Sequence, residues 1–359
     1  MYEDFYRDRR VLVTGHTGFK GAWLALWLQR LGADVTGYSD RPPTTPSLFD
    51  VAGLANTVNH VEGRLEDRSR LTETFERHRP EVVIHLAGQA IVSVGHASPH
   101  ETFLTNVQGT VNVLQAACDT DSVKGVVSIT SDKCYENREW IWGYRENDAL
   151  GGDDAYSLSK AGAELAIRAY QLAQKNHGTL IASARAGNVV GGGDWAPDRL
   201  VPDATAAFAE GRTLMLRRPQ ARRPWQHVLD PLSGYLLLGA RLASGDQAAQ
   251  AAWNFGPSPA AAATVAEVVD LLARAWGTEP HITTEEGYAE NHLLRLDTEK
   301  ARQQLGWSVS LDLEQTMGFT AQWYKRFYGG ADQDEMVAVT HEQIDAFTVA
   351  AQQRGMDWA

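Results

Sequence analysis

Tyr156 and Lys160 stand four residues apart in the run Tyr-Ser-Leu-Ser-Lys. On a helix that spacing puts both side chains on one face, so a phenol and an ammonium can enter the same cleft. The ammonium favours the phenolate and draws the tyrosine toward the range in which it acts as a base. A lone Tyr-x-x-x-Lys is more often an exposed helix face, but two companions tell against that here. Ser131, 25 residues upstream, follows the apolar run 124–130, and the carboxyl end of a strand is where open α/β sheets bind ligands. Residues 14–21 read T-G-H-T-G-F-K-G, with Gly15, Gly18 and Gly21 spaced G-x-x-G-x-x-G. Glycines there permit a tight turn and let backbone N–H groups reach a pyrophosphate at a helix N-terminus, where the helix dipole favours anions. A glycine turn alone is a weak signal; between a strand and a helix it points to a dinucleotide.

The elements needed to place these residues can be read from periodicity. A strand is expected at 10–14, a helix at 23–31 ending at Gly32, and a second strand at 34–38, a β-turn-α-β unit. Strands at 81–86, 124–130 and 180–185 alternate with helices at 102–118 and 155–174, which predicts an α/β fold with a doubly wound parallel sheet. At the end of the second strand, where an acidic residue usually reads the adenosine ribose, the chain carries Ser39, then Asp40 and Arg41. NAD is the expected cofactor, and NADP stays open. Past Asn188 three glycines and Pro197, Pro202, Pro219, Pro224 and Pro231 break the pattern, with helices expected at 202–211, 264–276 and 298–305. The expected organisation is a dinucleotide-binding domain over 1–187 with a returning segment near 225–255. A smaller C-terminal substrate lobe follows over 188–328, then a helical tail over 329–359 with its helix at 341–353.

The 359 residues carry 33 basic and 45 acidic side chains, a net charge of −12, which disfavours a protein that lives on phosphate-backbone contacts with nucleic acid. Against that balance Arg212, Arg217, Arg218, Arg222 and Arg223 crowd into 12 residues, a local positive field suited to a diphosphate. Two cysteines cannot build a disulfide framework, and the histidines show no paired metal-ligand spacing, so no metal site is expected. The charged and aromatic start lacks the apolar core of a secretory signal, and no apolar run is long enough to cross a bilayer. A cytoplasmic protein with no membrane partner is expected.

Further motifs carry a family resemblance: Leu86-Ala87-Gly88-Gln89, Asn106-Val107-Gln108-Gly109-Thr110, Arg185 with Asn188, and R-P-W-Q-H-V at 223–228. With them the sequence resembles the extended short-chain dehydrogenase/reductase superfamily over nearly its whole length. The resemblance implies cofactor contacts from Gly15, Thr17, Gly18, Phe19, Lys20, Gly21, Ser39, Leu65, Ala87, Gly88, Gln89 and Asn106, together with Tyr156 and Lys160. It also implies a homodimer or dimer of dimers, paired through the helices expected at 102–118 and 155–174.

Four longer stretches narrow the resemblance: T-G-H-T-G-F-K-G with Trp23 and Trp27, T-S-D-K-C-Y-E-N-R-E-W at 130–140, A-R-A-G-N-V-V-G-G-G-D-W at 184–195, and R-P-W-Q-H-V-L at 223–229 with Pro231. They are similar to those of the CDP-glucose 4,6-dehydratases, lyases that oxidise a nucleotide-linked sugar at C4, eliminate water across C5 and C6, and return the hydride to C6. The resemblance implies Tyr156 as base for the C4 hydroxyl, Lys160 as its partner and Ser131 as a hydrogen-bond donor to O4. Asp132 would be the acid for the C6 hydroxyl, and Lys133 would manage the C5 proton. Asn188, Arg199, Leu200, Arg223, Trp225 and His292 would contact the nucleotide sugar. Ser93, Gly95 and His96 depart from the family pattern, as do Arg64, Leu65 and Leu293, which leaves the base and sugar open. A related epimerase, decarboxylase or dehydratase of another sugar is one alternative. A regulator that binds the dinucleotide without catalysis is another, although such proteins commonly lack the Tyr or the Lys.

Overall fold

A computed structural model describes residues 2–174, 178–257, 261–284 and 294–359. Seven strands form one parallel sheet: β1 (Arg10–Thr14), β2 (Asp34–Ser39), β3 (Asn59–Glu62), β4 (Val82–His85), β5 (Gly125–Ile129), β6 (Leu180–Ala186) and β7 (Ala252–Phe255). Their spatial order is β7-β6-β5-β4-β1-β2-β3. The order reverses between β1 and β4, which pair from Val11 opposite Val82 to Thr14 opposite His85. This reversal opens a crevice at the carboxyl ends of the two strands. The apolar runs of β4, β5 and β6 are buried throughout because helices cover both faces of the sheet.

Alternate strand residues sort into two cores. Leu12, Val83, Val126 and Ile181 pack under α2 (Arg68–His78), α3 (Gly109–Cys118) and α4 (Ala155–Ala173). Val11, Val13, Ile84 and Val127 face the opposite layer, formed by α1 (Phe19–Arg30) and later by α6 (Leu229–Ala243). Between β6 and α6 the chain places α5 (Leu200–Glu210) beyond the carboxyl edge of the sheet; α7 (Val265–Trp276), α8 (Glu299–Leu305) and α9 (Leu313–Tyr328) follow β7. Trp23 of α1 is fully buried and donates to the Gly192 carbonyl at 2.8 Å, tying the first helix to the glycine run after β6.

Several boundaries differ from the sequence reading. The segment 102–118 is not one regular helix. A short helix, Pro99–Phe103, leads into a π-helical turn, Leu104–Gln108, before α3 begins. Residues 229–243 and 313–328 were not read as helices, yet form α6 and α9; α9 opens with a capping box between Asp312 and Gln315. The terminal helix α10 (Gln333–Gln353) starts well before residue 341, because Asp332 and Glu335 form another capping box. Its apolar face packs on α1, with Phe347 edge-on to Trp27 at 5.6 Å and Asp345 paired with Arg30 at 2.9 Å.

One buried ion pair joins β6 to α4. Arg185 and Glu164, each side chain only 4% exposed, meet at 2.7 Å. Glu164 also accepts from Thr130 at 2.5 Å and from Ser183 at 2.8 Å. Breaking one partner of such a pair leaves an uncompensated buried charge. Arg185→Met is therefore expected to lower the unfolding free energy in urea by ~3–5 kcal/mol. A loss under about 1 kcal/mol, the range of exposed pairs, would show the pair to be solvated.

Candidate active site

A cavity of about 1530 Å³ runs along the carboxyl edge of the sheet, from the glycine turn after β1 to the start of α5. Small-molecule sites commonly occupy ~300–1,000 Å³, so this one has room for two ligands side by side.

The glycine turn is built for close approach. Gly15 has φ +78°, and a Cβ there would stand 2.7 Å from the Ala87 nitrogen. A Cβ on Gly21 would lie 2.1 Å from the Gly15 carbonyl oxygen, so α1 can only start this near the turn with glycine at that position. Gly18 caps α1 with no side chain over the helix end, which leaves its first N–H groups facing the cavity edge. Thr17 and Ser39 hydroxyls are bonded at 2.7 Å, and both line the cavity with Gly15, Gly18, Phe19, Lys20 and Gly21. Leu65, Ala87, Gly88 and Gln89 line the same end. The narrow glycine cradle, the uncapped helix end and the hydroxyl at the end of β2 fit a dinucleotide.

Asn106 does not reach the cavity. It is buried in the π-helical turn, where its carbonyl oxygen accepts from the Gln89 N–H at 2.8 Å and its amide donates to Ser159 at 2.8 Å. Ser159 donates in turn to the Tyr156 carbonyl at 2.7 Å. Asn106 therefore ties the β4 loop to α4.

Asp154 caps α4 by accepting from the Ser157 N–H at 2.9 Å, which sets Tyr156 in the first turn and Lys160 one turn later. Both are buried and line the cavity, with the Lys160 Nζ 5.9 Å from the centre of the Tyr156 ring. After β5 a 3₁₀ turn, Asp132–Cys134, follows Ser131. The Ser131 hydroxyl donates to Asp132 Oδ1 at 2.9 Å and accepts from the Lys133 N–H at 3.2 Å. Asp132 is buried, whereas Lys133 is exposed where it lines the cavity.

Burial dominates the electrostatics. It pushes the Tyr156 phenol up to about 12, partly offset by a hydrogen bond with Ser131. This corrects the sequence expectation: in the free protein the phenol is raised, because loss of water around it outweighs its cationic neighbours. Lys160 is brought down to about 8, again mainly by burial, and Lys20 likewise to about 8 by burial with the nearby Arg199 and Lys160 charges. Asp132 is raised by burial and drawn partly back by Lys133, by its bond from Ser131 and by Lys20. A carboxyl raised in this direction holds its proton more tightly than a free one, the direction a proton donor requires.

At the far end Asn188, Arg199, Leu200, Arg223 and Trp225 line the cavity. Arg199 is held by Asp194 at 2.7 Å. Of the arginine cluster, Arg217, Arg218 and Arg223 line the cavity, whereas Arg222 donates to the Ala262 carbonyl at 3.0 Å and Arg212 pairs with Glu210. His292 and Leu293 lie outside the described residues. Ser93 and His96 line the cavity from a short helix, Val92–Ala97, and a Cβ on Gly95 would stand 3.1 Å from Tyr156. Gly187 was missed from sequence, although it sits inside the R-x-x-N motif. A Cβ there would come within 2.8 Å of Asp132 Oδ2.

Residues 11–256 match the model of the NAD dependent epimerase/dehydratase family. The chain belongs to that family. It is 44% identical to the CDP-glucose 4,6-dehydratase of Salmonella typhimurium, over 92% of this chain and 94% of that protein. The dTDP-glucose 4,6-dehydratase of Streptomyces venezuelae, solved with NAD bound, is similar in structure with a TM-score of 0.76 and 25% identity, covering 89% of this chain and 98% of that one. The UDP-glucose 4-epimerase of Thermotoga maritima shares the fold, with a TM-score of 0.77 at 22% identity over 89% of this chain and 99% of that one. Among the described residues no group of three or more His, Cys, Asp or Glu side chains is placed to hold a metal ion, and no helix is long and apolar enough to cross a membrane.

The cradle yields a direct test. Gly15→Ala forces a side chain into the left-handed region and against Ala87, at a cost of ~1–3 kcal/mol. Calorimetric titration should show NAD binding lost or severely weakened in a protein that still unfolds cooperatively; unchanged affinity would mean the turn does not hold the dinucleotide.

Proposed function

We propose that the protein is an NAD-dependent CDP-glucose 4,6-dehydratase, converting CDP-glucose to CDP-4-keto-6-deoxy-glucose. One observation carries this reading. A buried carboxyl, Asp132, whose affinity for its proton is raised by burial, lines the same cavity as the Tyr156–Lys160 pair. Oxidation at C4 needs only the Tyr and Lys, whereas elimination also needs an acid for the C6 hydroxyl, for which simple epimerisation has no use. The 44% identity to the Salmonella CDP-glucose 4,6-dehydratase supports the choice of reaction and of nucleotide.

NAD, when bound, accepts a hydride from C4 and returns it to C6. The chain's own residues manage protons and position. Tyr156 takes the proton of the C4 hydroxyl. The positive end of α4, in whose first turn it sits, favours the phenolate that must form. Ser131 hydrogen-bonds O4, and Lys160 supplies a cation beside the phenol. With C4 a ketone, the C5 proton is acidic; Lys133 manages it from the cavity rim while Asp132 protonates the departing C6 oxygen. Arg223, with Arg199 and Asn188, holds the diphosphate end of the substrate. In this scheme residues 1–187 and the returning segment 225–255 serve the dinucleotide, 188–328 the sugar nucleotide, and 329–359 pack as a tail.

The assembly we assign is a homodimer. Leu158, Leu165 and Leu172 recur every seven residues along α4, and they are 45%, 63% and 59% exposed. Phe103 is also exposed on the neighbouring helix. An apolar stripe at that spacing suits packing against a second copy about a two-fold axis. Both cysteines are free, in keeping with the cytoplasm as the compartment.

Incubation with CDP-glucose should yield a 4-keto sugar, read by its absorbance in alkali; a C4-inverted sugar without keto product would point to an epimerase. Asp132→Asn should still reduce its cofactor, visible as nicotinamide absorbance, while product formation falls by ~10²–10⁴-fold. Tyr156→Phe should show neither signal. If Asp132→Asn turns over normally, Asp132 is not the elimination acid. Leu165→Glu should convert the dimer to monomer by light scattering, and a wild-type monomer at micromolar concentration would contradict the assembly.

A further inference from the structure

Three carboxylates line the cavity around the start of α5, and two of them are occupied. Asp194 is held by Arg199 at 2.7 Å, and Asp198 by Arg217 at 2.9 Å. Asp203, in the first turn of α5, is exposed, and among the described residues its carboxylate makes no hydrogen bond or ion pair. A short strand, Leu214–Leu216, packs against α5 and pairs with Ile282–Thr284. The Arg217–Asp198 pair ties the end of this strand to the segment just before the helix. Alternation along the strand buries Leu214 and Leu216 in the core and leaves Met215 57% exposed as a lining residue of the cavity.

An exposed thioether beside an unpartnered carboxylate suits a flat heterocycle, whose face packs on the sulfur and whose edge meets the carboxylate. Asp203 lies four residues past Arg199, ~6 Å along the helix axis. That is about the reach of the ribose between a diphosphate held at Arg199 and Arg223 and the base it carries. The edges of the pyrimidines differ at C4: cytosine bears an amino group there, a donor, whereas uracil and thymine bear a carbonyl, an acceptor. An ionised carboxylate only accepts. Burial and the nearby Asp198 raise the affinity of Asp203 for a proton, and Arg217 and Arg212 draw it back. An amino donor on the carboxylate favours its ionised form further.

We propose that Asp203 selects the base of the substrate: its carboxylate accepts a hydrogen bond from the 4-amino group of a cytosine laid against Met215, and it repels the 4-carbonyl of uracil or thymine. The inference deepens the CDP-glucose reading above and rests on it. Selection here has two parts, an attraction to the right base and a repulsion of the wrong one. Met215 contributes to neither, because the faces of the pyrimidines are alike. Its contact holds any pyrimidine, and the carboxylate decides which one stays.

The test is calorimetric titration of the full-length protein with CDP and with UDP at saturating NAD. The wild type should bind CDP more tightly by roughly 10–10²-fold, the worth of one hydrogen bond to a charged group. Asp203→Asn keeps the size of the side chain, but its amide donates as well as accepts, so the two nucleotides should bind about equally. Asp203→Ala should weaken CDP and leave UDP unchanged or tighter, which a merely structural role for Asp203 would not produce. Met215→Ala should weaken both alike. The proposal is overturned if the wild type shows no preference, if Asp203→Asn keeps the preference or loses both nucleotides by the same factor, or if Met215→Ala leaves both unchanged. Failure of the wild type to form a 4-keto sugar from CDP-glucose, with the CDP preference present and abolished in Asp203→Asn, would overturn the dehydratase reading and leave the base selection standing.

Discussion

The Glu164 carboxylate is the constraint on which the site depends. It lies one turn beyond Lys160 on α4 and accepts from Thr130 at the end of β5 and from Arg185 on β6. Arg185 in turn donates to the Tyr135 hydroxyl at 2.6 Å, fixing the loop that follows the Ser131 turn. Three segments that carry chemistry are thereby locked to one another: the Ser131–Asp132 turn, the Tyr156–Lys160 helix and the Gly187–Asn188 corner. A buried ion pair adds little net stability once its desolvation is counted. Here it specifies geometry, and geometry to within a fraction of an ångström is what proton transfer requires.

The cavity sets two requirements against each other. Lys20, Lys160, Arg199 and Arg223 all line the cavity, and under the proposed function they would meet its two anionic ligands. Acid chemistry at the sugar needs a carboxyl that keeps its proton, which those cations oppose. Burial settles the conflict by raising Asp132 while lowering Lys20 and Lys160 toward neutrality. Depth in the fold, more than the identity of any neighbour, sets the direction of each of these shifts.

The parts legible in sequence were those set by local rules. The glycine turn, the Tyr-x-x-x-Lys pair and the serine after an apolar strand follow from turn sterics and helical spacing, and each lies on the cavity. Hidden were features decided by distant contacts. Nothing in the run around Glu164 marks it as the partner of Arg185, and nothing around Gly187 tells that the Asp132 carboxyl lies against it. Asn106, which the family resemblance implies at the cofactor, is bonded to the Gln89 N–H and to Ser159 from within the π-helical turn, an arrangement its motif does not announce. The helices at 229–243 and 313–328 are not legible in sequence because Pro231, Gly234 and Gly318 interrupt their periodicity, while tertiary packing holds them helical. The expectation that Lys160 would lower Tyr156 took spacing into account but not burial.

The central claim is that one active site oxidises C4, eliminates water across C5 and C6, and restores the same hydrogen at C6. CDP-glucose carrying deuterium at C4 tests it most directly. After one incubation in ordinary water, mass spectrometry and NMR of the product should find the deuterium at C6 of a 4-keto-6-deoxy sugar. Deuterium lost to solvent, or retained at C4 of a sugar with its C6 hydroxyl intact, would contradict the account.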